Sequence, residues 1–240
     1  MLLIRPEVQI DTVDNPVGCM KKIEVAGRVC YKSEVPNDFS YENFIKRLIA
    51  RGHTSVLEHQ SISVTLKCDR AVANELVRHR IASYSQESTR YCNYNKKGME
   101  FIIPPWCWDI IDGEYVACSV RGYNSLVKEV CMTPYSRSWI FMMGCAELMY
   151  NHTLETGSTP EMSRDLLPLS LKTEIVMTTN FRAWRHFFGL RCDKTAHPQM
   201  REVANMILLK FKSLFPPVFS DIPYYDVMKK AGDASLVKRW

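Results

Sequence analysis

Residues Ser61 to Cys68 read Ser-Ile-Ser-Val-Thr-Leu-Lys-Cys, a strict alternation of polar and apolar side chains. Successive side chains of a strand point to opposite faces, so the pattern predicts a half-buried strand with Ile62, Val64, Leu66 and Cys68 toward the core. Asp69 follows at once as a helix cap, for a helix that holds Ala73, Leu76 and Val77 and leads into Arg78-His79-Arg80. A strand that turns straight into a capped helix restricts the chain to folds that lay helices on a sheet.

The remaining segments fit that restriction. Leu2–Ile10 has the composition of an edge strand, and Pro16 after Asp14-Asn15 opens a helix with apolar spacing from Val17 to Val29. Ser40 caps a second helix ending at Gly52. Thr89–Tyr94 and Glu100–Ile103 predict two strands of a hairpin around an Asn95–Gly98 turn. A long helix covers Ser136–Glu155 with Gly157 as its stop, and Thr159-Pro160-Glu161 opens a short one. Leu171–Thr178 is a strand, Asn180 caps the helix carrying Phe181–Leu190, and Pro198–Leu214 is helical up to Pro216-Pro217. The expected fold class is α+β, a mainly antiparallel sheet flanked by helices, in a single domain spanning residues 1–240.

Composition narrows the function classes. At 46% hydrophobic and 24% charged, without low-complexity tracts, the chain can bury one sizeable core. Its longest apolar run, Trp139–Ala146, falls well short of the roughly 18 residues a membrane helix needs, so no membrane partner is expected. Arg5 and Glu7 interrupt Met1–Ile10 too early for an export signal. The nine cysteines are odd in number and scattered, which suits reduced thiols and a cytoplasmic protein. Without a Cys-x-x-Cys pair, and with His53 and His59 badly spaced for one helical turn, no metal site is expected. The net charge of +5 suits an anionic small molecule as well as a nucleic acid.

Chemistry concentrates in residues 78–91, Arg-His-Arg-Ile-Ala-Ser-Tyr-Ser-Gln-Glu-Ser-Thr-Arg-Tyr. Arginine forks bind phosphate and carboxylate bidentately, and hydroxyls and amides beside them can read a polar ring. The plainer reading is a solvated basic helix face followed by a polar loop. The segment resembles the defining motif of the flavin-dependent thymidylate synthases, Arg-His-Arg, seven residues, then Ser; here Arg78, His79, Arg80 and Ser88, with Arg90 two residues beyond. Upstream, Gly52-His53-Thr54-Ser55-Val56-Leu57-Glu58-His59 resembles the family's flavin-holding element. Downstream, Arg164-Asp165-Leu166-Leu167-Pro168-Leu169 resembles its Arg-x-x-Leu-Pro element. Asn180-Phe181-Arg182 and His186-Phe187-Phe188-Gly189-Leu190-Arg191 resemble the block that ends in the substrate-activating arginine. The likeness runs from about Val25 to Phe215.

The resemblance implies the family's fold and the reductive methylation of dUMP to dTMP, with methylene-tetrahydrofolate as carbon donor and NADPH as reductant, by way of FAD. It implies FAD contacts from His53, Ser55, Arg78, His79, Arg80, Asn180, Arg182 and His186. It implies a dUMP site lined by Glu75, Arg78, Gln86, Glu87, Ser88, Arg90, Arg164 and Arg191. Arg191 is then the catalytic residue, its permanent charge stabilising the anion that makes the pyrimidine nucleophilic at carbon 5. A surface arginine that caps the 181–190 helix is the alternative. Ser88 orients dUMP, since a serine nucleophile needs a base in reach. Glu75 stands where many relatives carry Gln, Gln86 where many carry Glu, and Thr195 and His197 where a His and a Gln are expected. Family members are homotetramers with active sites shared between subunits, so a homotetramer is expected here.

Other readings have specific requirements. A single-strand-binding module would use the arginines with Tyr84, Tyr91 and Tyr94 for stacking, but the basic residues gather at a few points and 26 acidic residues dilute the rest. No nucleic-acid polymer is therefore expected as partner. A flavin-free thymidylate synthase needs a cysteine after a proline, and none of the nine follows one. Neither a Gly-x-Gly-x-x-Gly nor a Walker loop occurs. Trp106-Cys107-Trp108 is read as packing rather than a stacking platform.

Overall fold

A computed structural model describes residues 1–11, 13–34, 41–115 and 133–227. The first half runs β1 (Leu2–Ile4), β2 (Glu7–Ile10), α1 (Pro16–Tyr31), α2 (Tyr41–Ala50), a 3-10 turn (Ser55–His59), β3 (Ser61–Asp69), α3 (Arg70–Leu76) and β4 (Ser83–Gln86). Then come α4 (Tyr94–Lys97), β5 (Glu100–Ile102), β6 (Gly113–Glu114), α5 (Pro134–Glu155), α6 (Pro160–Ser163) and a 3-10 turn (Arg164–Leu166). The chain closes with β7 (Lys172–Asn180), α7 (Phe181–Arg191), α8 (Pro198–Leu214) and α9 (Pro216–Phe219). The class is α+β with mainly antiparallel sheet.

Side-chain oxygens start several of the helices, because the first backbone N–H groups of a helix have no intrahelical acceptor. Asn15 accepts from Gly18 N–H at 2.7 Å, Asp69 from Val72 at 2.7 Å, Thr133 from Ser136 at 3.2 Å and Asn180 from Ala183 at 2.9 Å. Proline occupies the first helical position of α1, α5, α6 and α8, where its missing N–H costs nothing. At the end of α2, Gly52 N–H donates to Ile49 C=O and His53 N–H to Leu48 C=O, both at 2.9 Å. This is a Schellman closure, and it needs the left-handed φ of 76° that Gly52 adopts. Gly157, at φ 99°, follows α5 as expected. Ser40, expected as the cap of α2, lies outside the described residues.

The alternation in β3 is fulfilled: Ile62, Val64, Leu66 and Cys68 are buried. In β7, Thr173, Ile175, Met177 and Thr179 are the inward set. The strand order of the four-stranded sheet is β2-β3-β7-β4; a three-stranded sheet has the order β5-β1-β6.

Three expectations are corrected. Leu2–Ile10 is two strands, interrupted at Arg5-Pro6, and β1 is the central strand of its sheet; only β2 is at an edge. The hairpin is absent: Asn93 accepts from Asn95 and Lys96 N–H and starts a helical turn over Tyr94–Lys97. Glu100–Ile102 instead pairs parallel with Leu2–Ile4. Val77 lies beyond the end of α3 and is exposed.

Contacts divide the chain into two compact units. The first comprises Met1–Glu7, Lys67–Leu76 and Ser85–Ile175; the second comprises Val8–Leu66, Val77–Tyr84 and Val176–Trp240. The first has its core around Leu3, Phe101, Trp139, Met143, Tyr150 and Leu171. Cys107 is buried in it and Trp106 packs against it, as expected, whereas Trp108 is 64% exposed. The second has an aromatic core on α7, α8, α9 and the residue joining the last two, in which Phe181, Trp184, Phe187, Phe188, Phe211, Phe215 and Phe219 meet edge-to-face or tilted, with Trp184 and Phe188 stacked. That core fixes α7 firmly, which matters for the residues on its outer side.

Candidate active site

All eight residues implied as flavin contacts fall in the second unit. Helix α7 buries Phe181, Trp184, Phe187 and Phe188, so the spacing turns Arg182 and His186 outward. Arg182 Nη1 donates to Glu58 Oε1 at 2.5 Å, tying α7 to the 3-10 turn that carries Ser55. Within that turn Val56 and Leu57 are the buried residues, which leaves Ser55 and Glu58 exposed. His53 is exposed beside the Schellman closure. Asn180 serves as the α7 cap through its side-chain oxygen.

Arg78, His79 and Arg80 form irregular backbone after α3, and both arginines are exposed. Two hydroxyls hold this segment: Tyr84 Oη donates to His79 C=O at 2.8 Å, and Thr179 Oγ1 donates to Ile81 C=O. The His79 ring packs edge-on against Phe187, with centroids 5.0 Å apart, and lies 6.3 Å from the His186 ring. Arg191, at the last position of α7, donates from Nε to His79 Nε2 at 2.9 Å. Burial, then the Arg191 and His186 charges, push the His79 imidazole down to about 4. It is neutral at neutral pH, and an Nε2 that accepts puts its one proton on Nδ1.

The residues implied for dUMP divide. Arg78 and Arg191 are in the second unit; Glu75, Gln86, Glu87, Ser88, Arg90 and Arg164 are in the first. Glu87 is pinned to β7, its N–H donating to Glu174 C=O at 2.9 Å and its carboxylate accepting from Lys172 Nζ at 3.3 Å. Lys172 also pairs with Glu100 at 3.3 Å. Gln86 Nε2 donates to Thr173 Oγ1 at 3.3 Å. Arg70 Nη2 donates to Glu87 C=O at 3.1 Å and to Tyr94 Oη at 3.3 Å. Ser88 Oγ accepts from Arg90 N–H at 3.3 Å, a local turn contact. Arg90 pairs with Glu161 of α6 at 3.0 Å, and Arg164 is exposed at the start of its 3-10 turn. Glu75 is half-buried on α3.

The family model described as "Thymidylate synthase complementing protein" matches residues 13–217. The chain is 31% identical over 230 residues to a flavin-dependent thymidylate synthase of Mycobacterium sp. (strain JLS), with 92% of this chain and 86% of that one covered. The chain belongs to the flavin-dependent thymidylate synthase family. Proteins of the same name from Mycobacterium tuberculosis (strain ATCC 25177 / H37Ra) and Mycobacterium bovis (strain BCG / Pasteur 1173P2) are 32% identical over 203 residues, covering 83% of this chain and 78% of each.

For a member of this family the donor set is chemically apt. Arg78, Arg80 and Arg182 are exposed guanidiniums, His53, Ser55 and His186 exposed polar groups, and together they suit a dianionic pyrophosphate joined to polar rings. The polar partners Glu58, Glu161 and Lys172 are not evident from the sequence. Glu58 lies in the segment that resembles the family's flavin-holding element, but its pairing with Arg182 depends on folding. Glu161 and Lys172 give no local signal. A cleft of about 540 Å³ beside the start of α1, lined in part by Asp14, Asn15, Lys22, Ser61 and Thr178, contains none of the candidate residues. Among the described residues no helix is long and apolar enough to cross a membrane.

Proposed function

We propose that this protein methylates dUMP to dTMP, taking the carbon from methylene-tetrahydrofolate and reducing equivalents from NADPH through FAD. The whole chain serves as one catalytic domain with the family's fold, acting in the cytoplasm as a homotetramer whose active sites lie at subunit interfaces. The observation that carries this reading is that every arginine the chemistry asks for is present and reachable: Arg78, Arg80, Arg90, Arg164 and Arg182 are exposed and Arg191 is half-buried.

His53, Ser55, Arg78, His79, Arg80, Asn180, Arg182 and His186 would hold FAD. When bound, the flavin supplies hydride chemistry that no amino-acid side chain offers. Arg90 and Arg164, with Arg78, neutralise the nucleotide phosphate, and Ser88 and Gln86 orient the base. Arg191 addresses the polar edge of uracil, where its fixed charge stabilises the negative charge that develops as carbon 5 becomes nucleophilic. A guanidinium stays protonated throughout, so Arg191 stabilises and does not remove the proton.

The test is Arg191→Ala. Losing a preorganised charge of this kind costs about 3–4 kcal/mol, or roughly two to three powers of ten in rate. The variant should remain yellow and accept hydride from NADPH, yet form dTMP at least about a hundredfold more slowly. Near-normal dTMP formation in folded Arg191→Ala would leave Arg191 as a helix cap and remove the proposed mechanism.

A further inference from the structure

We infer that His79 is a positioning residue for Arg191: its imidazole is an acceptor that orients the activating guanidinium. The inference rests on the role proposed for Arg191 and adds a residue whose task is geometric. Arg191 is the last residue of α7 and carries a long, flexible side chain whose orientation costs entropy. Its Nε–H donates to His79 Nε2 at 2.9 Å. Because Nε–H lies in the guanidinium plane, that single bond restricts rotation of the plane about the Cδ–Nε axis.

The acceptor is itself fixed from two sides. Tyr84 Oη holds the His79 carbonyl at 2.8 Å, and the ring lies edge-on to Phe187, which is fully buried in the aromatic core. The catalytic charge is thus referenced through an imidazole to the buried aromatic core of its unit. A neutral acceptor suits this task. A carboxylate in the same place would offset the positive charge that Arg191 must present to the pyrimidine, whereas an imidazole leaves it undiminished. The partner can also be exchanged without altering the chemistry: the side-chain oxygen of Gln reaches a position close to Nε2, while Phe keeps the packing and lacks the acceptor.

The experiment compares wild type, His79→Phe, His79→Gln, Arg191→Ala and the His79→Phe/Arg191→Ala double variant, each reconstituted with FAD. Bound flavin, flavin reduction by NADPH and dTMP formation are measured. His79→Phe should lower dTMP formation by about ten- to a hundredfold, the scale of losing a hydrogen bond to a charged group, and flavin reduction by much less. His79→Gln should recover most of the loss. The double variant should form dTMP no more slowly than Arg191→Ala alone, because His79 acts on the chemistry only through Arg191. Independently of turnover, nitrogen NMR of selectively labelled histidine in the flavin-free protein should show His79 protonated at Nδ1 and bare at Nε2. Its Nε2 resonance should move in Arg191→Ala.

Additive effects in the double variant, or a His79→Phe protein whose loss of dTMP formation is fully accounted for by lost flavin, would overturn the inference and leave His79 as a flavin contact alone. If wild type itself forms no dTMP, the proposed function fails instead. The NMR result then still reports whether the bond exists.

Discussion

Arg90 and Glu161 form an ion pair, Nε to Oε1 at 3.0 Å, on a surface where both side chains are about half exposed (51% and 58%). Arg90 is one of the arginines proposed for the dUMP phosphate, so the phosphate and Glu161 compete for one guanidinium. Exposed pairs of this kind contribute roughly 0–1 kcal/mol. Glu161→Gln should therefore leave stability nearly unchanged and tighten dUMP binding by about two- to fivefold. Isothermal titration with dUMP checks this, and weaker binding in the variant would mean that Glu161 assists the nucleotide.

Lys172 sits between Glu87 and Glu100, 3.3 Å from each. Burial alone would pull its ammonium down, but the two carboxylates more than offset this and hold it above the ordinary lysine value. Lys172→Met leaves two partly buried carboxylates facing each other. A loss of about 1–3 kcal/mol is expected, below the figure for a fully buried pair because Glu100 remains a third exposed. Urea denaturation is the measurement. Glu87→Gln in the Lys172→Met background should recover part of the loss.

Asn180 has two proposed tasks that a substitution can separate. As the α7 cap it accepts from Ala183 N–H, and Asn180→Ala should cost about 1 kcal/mol. Asn180→Asp keeps the cap oxygen and places a negative charge favourably at the helix start, so stability should hold within about 0.5 kcal/mol. The same charge faces an anionic cofactor, and FAD should dissociate more readily. Equal flavin affinity in wild type and Asn180→Asp would confine Asn180 to capping.

The His79 shift makes a pH prediction. The folded-state value, about 4, is below the ordinary 6.5 because burial disfavours the imidazolium, and Arg191 and His186 repel it. The unfolded chain therefore takes up the proton first. The stability from this group is fully present above pH 6.5 and is lost as pH falls through 4. The groups facing the ring are Arg191, His186 and Phe187 of α7. Melting temperatures of wild type should fall more steeply between pH 6.5 and 4 than those of His79→Gln. Parallel slopes would mean that protonation of His79 is not disfavoured by folding.

The strand over Ser61–Asp69, the Asn180 cap with its helix and the Gly52 and Gly157 stops were legible because each is written within a few neighbouring residues. The hairpin expectation failed for a related reason. Residues 93–98 look like a turn and are one, but the partner of Glu100–Ile102 is Leu2–Ile4, far away in sequence, and no local pattern names it. The candidate site divides the same way. The arginines stood out by composition and by their resemblance to a known motif. The bond between His79 and Arg191 joins residues 112 positions apart, and the pairing of Arg182 with Glu58 joins residues 124 apart. Such pairs exist only once the core has brought their elements side by side.

The most direct measurement supplies purified protein with FAD, NADPH, dUMP and methylene-tetrahydrofolate labelled in its methylene carbon, and follows the label into the nucleotide by mass spectrometry. The account predicts labelled dTMP that requires every component, FAD included. Product that forms equally well without FAD, or no labelled dTMP from folded, flavin-loaded protein, would contradict it.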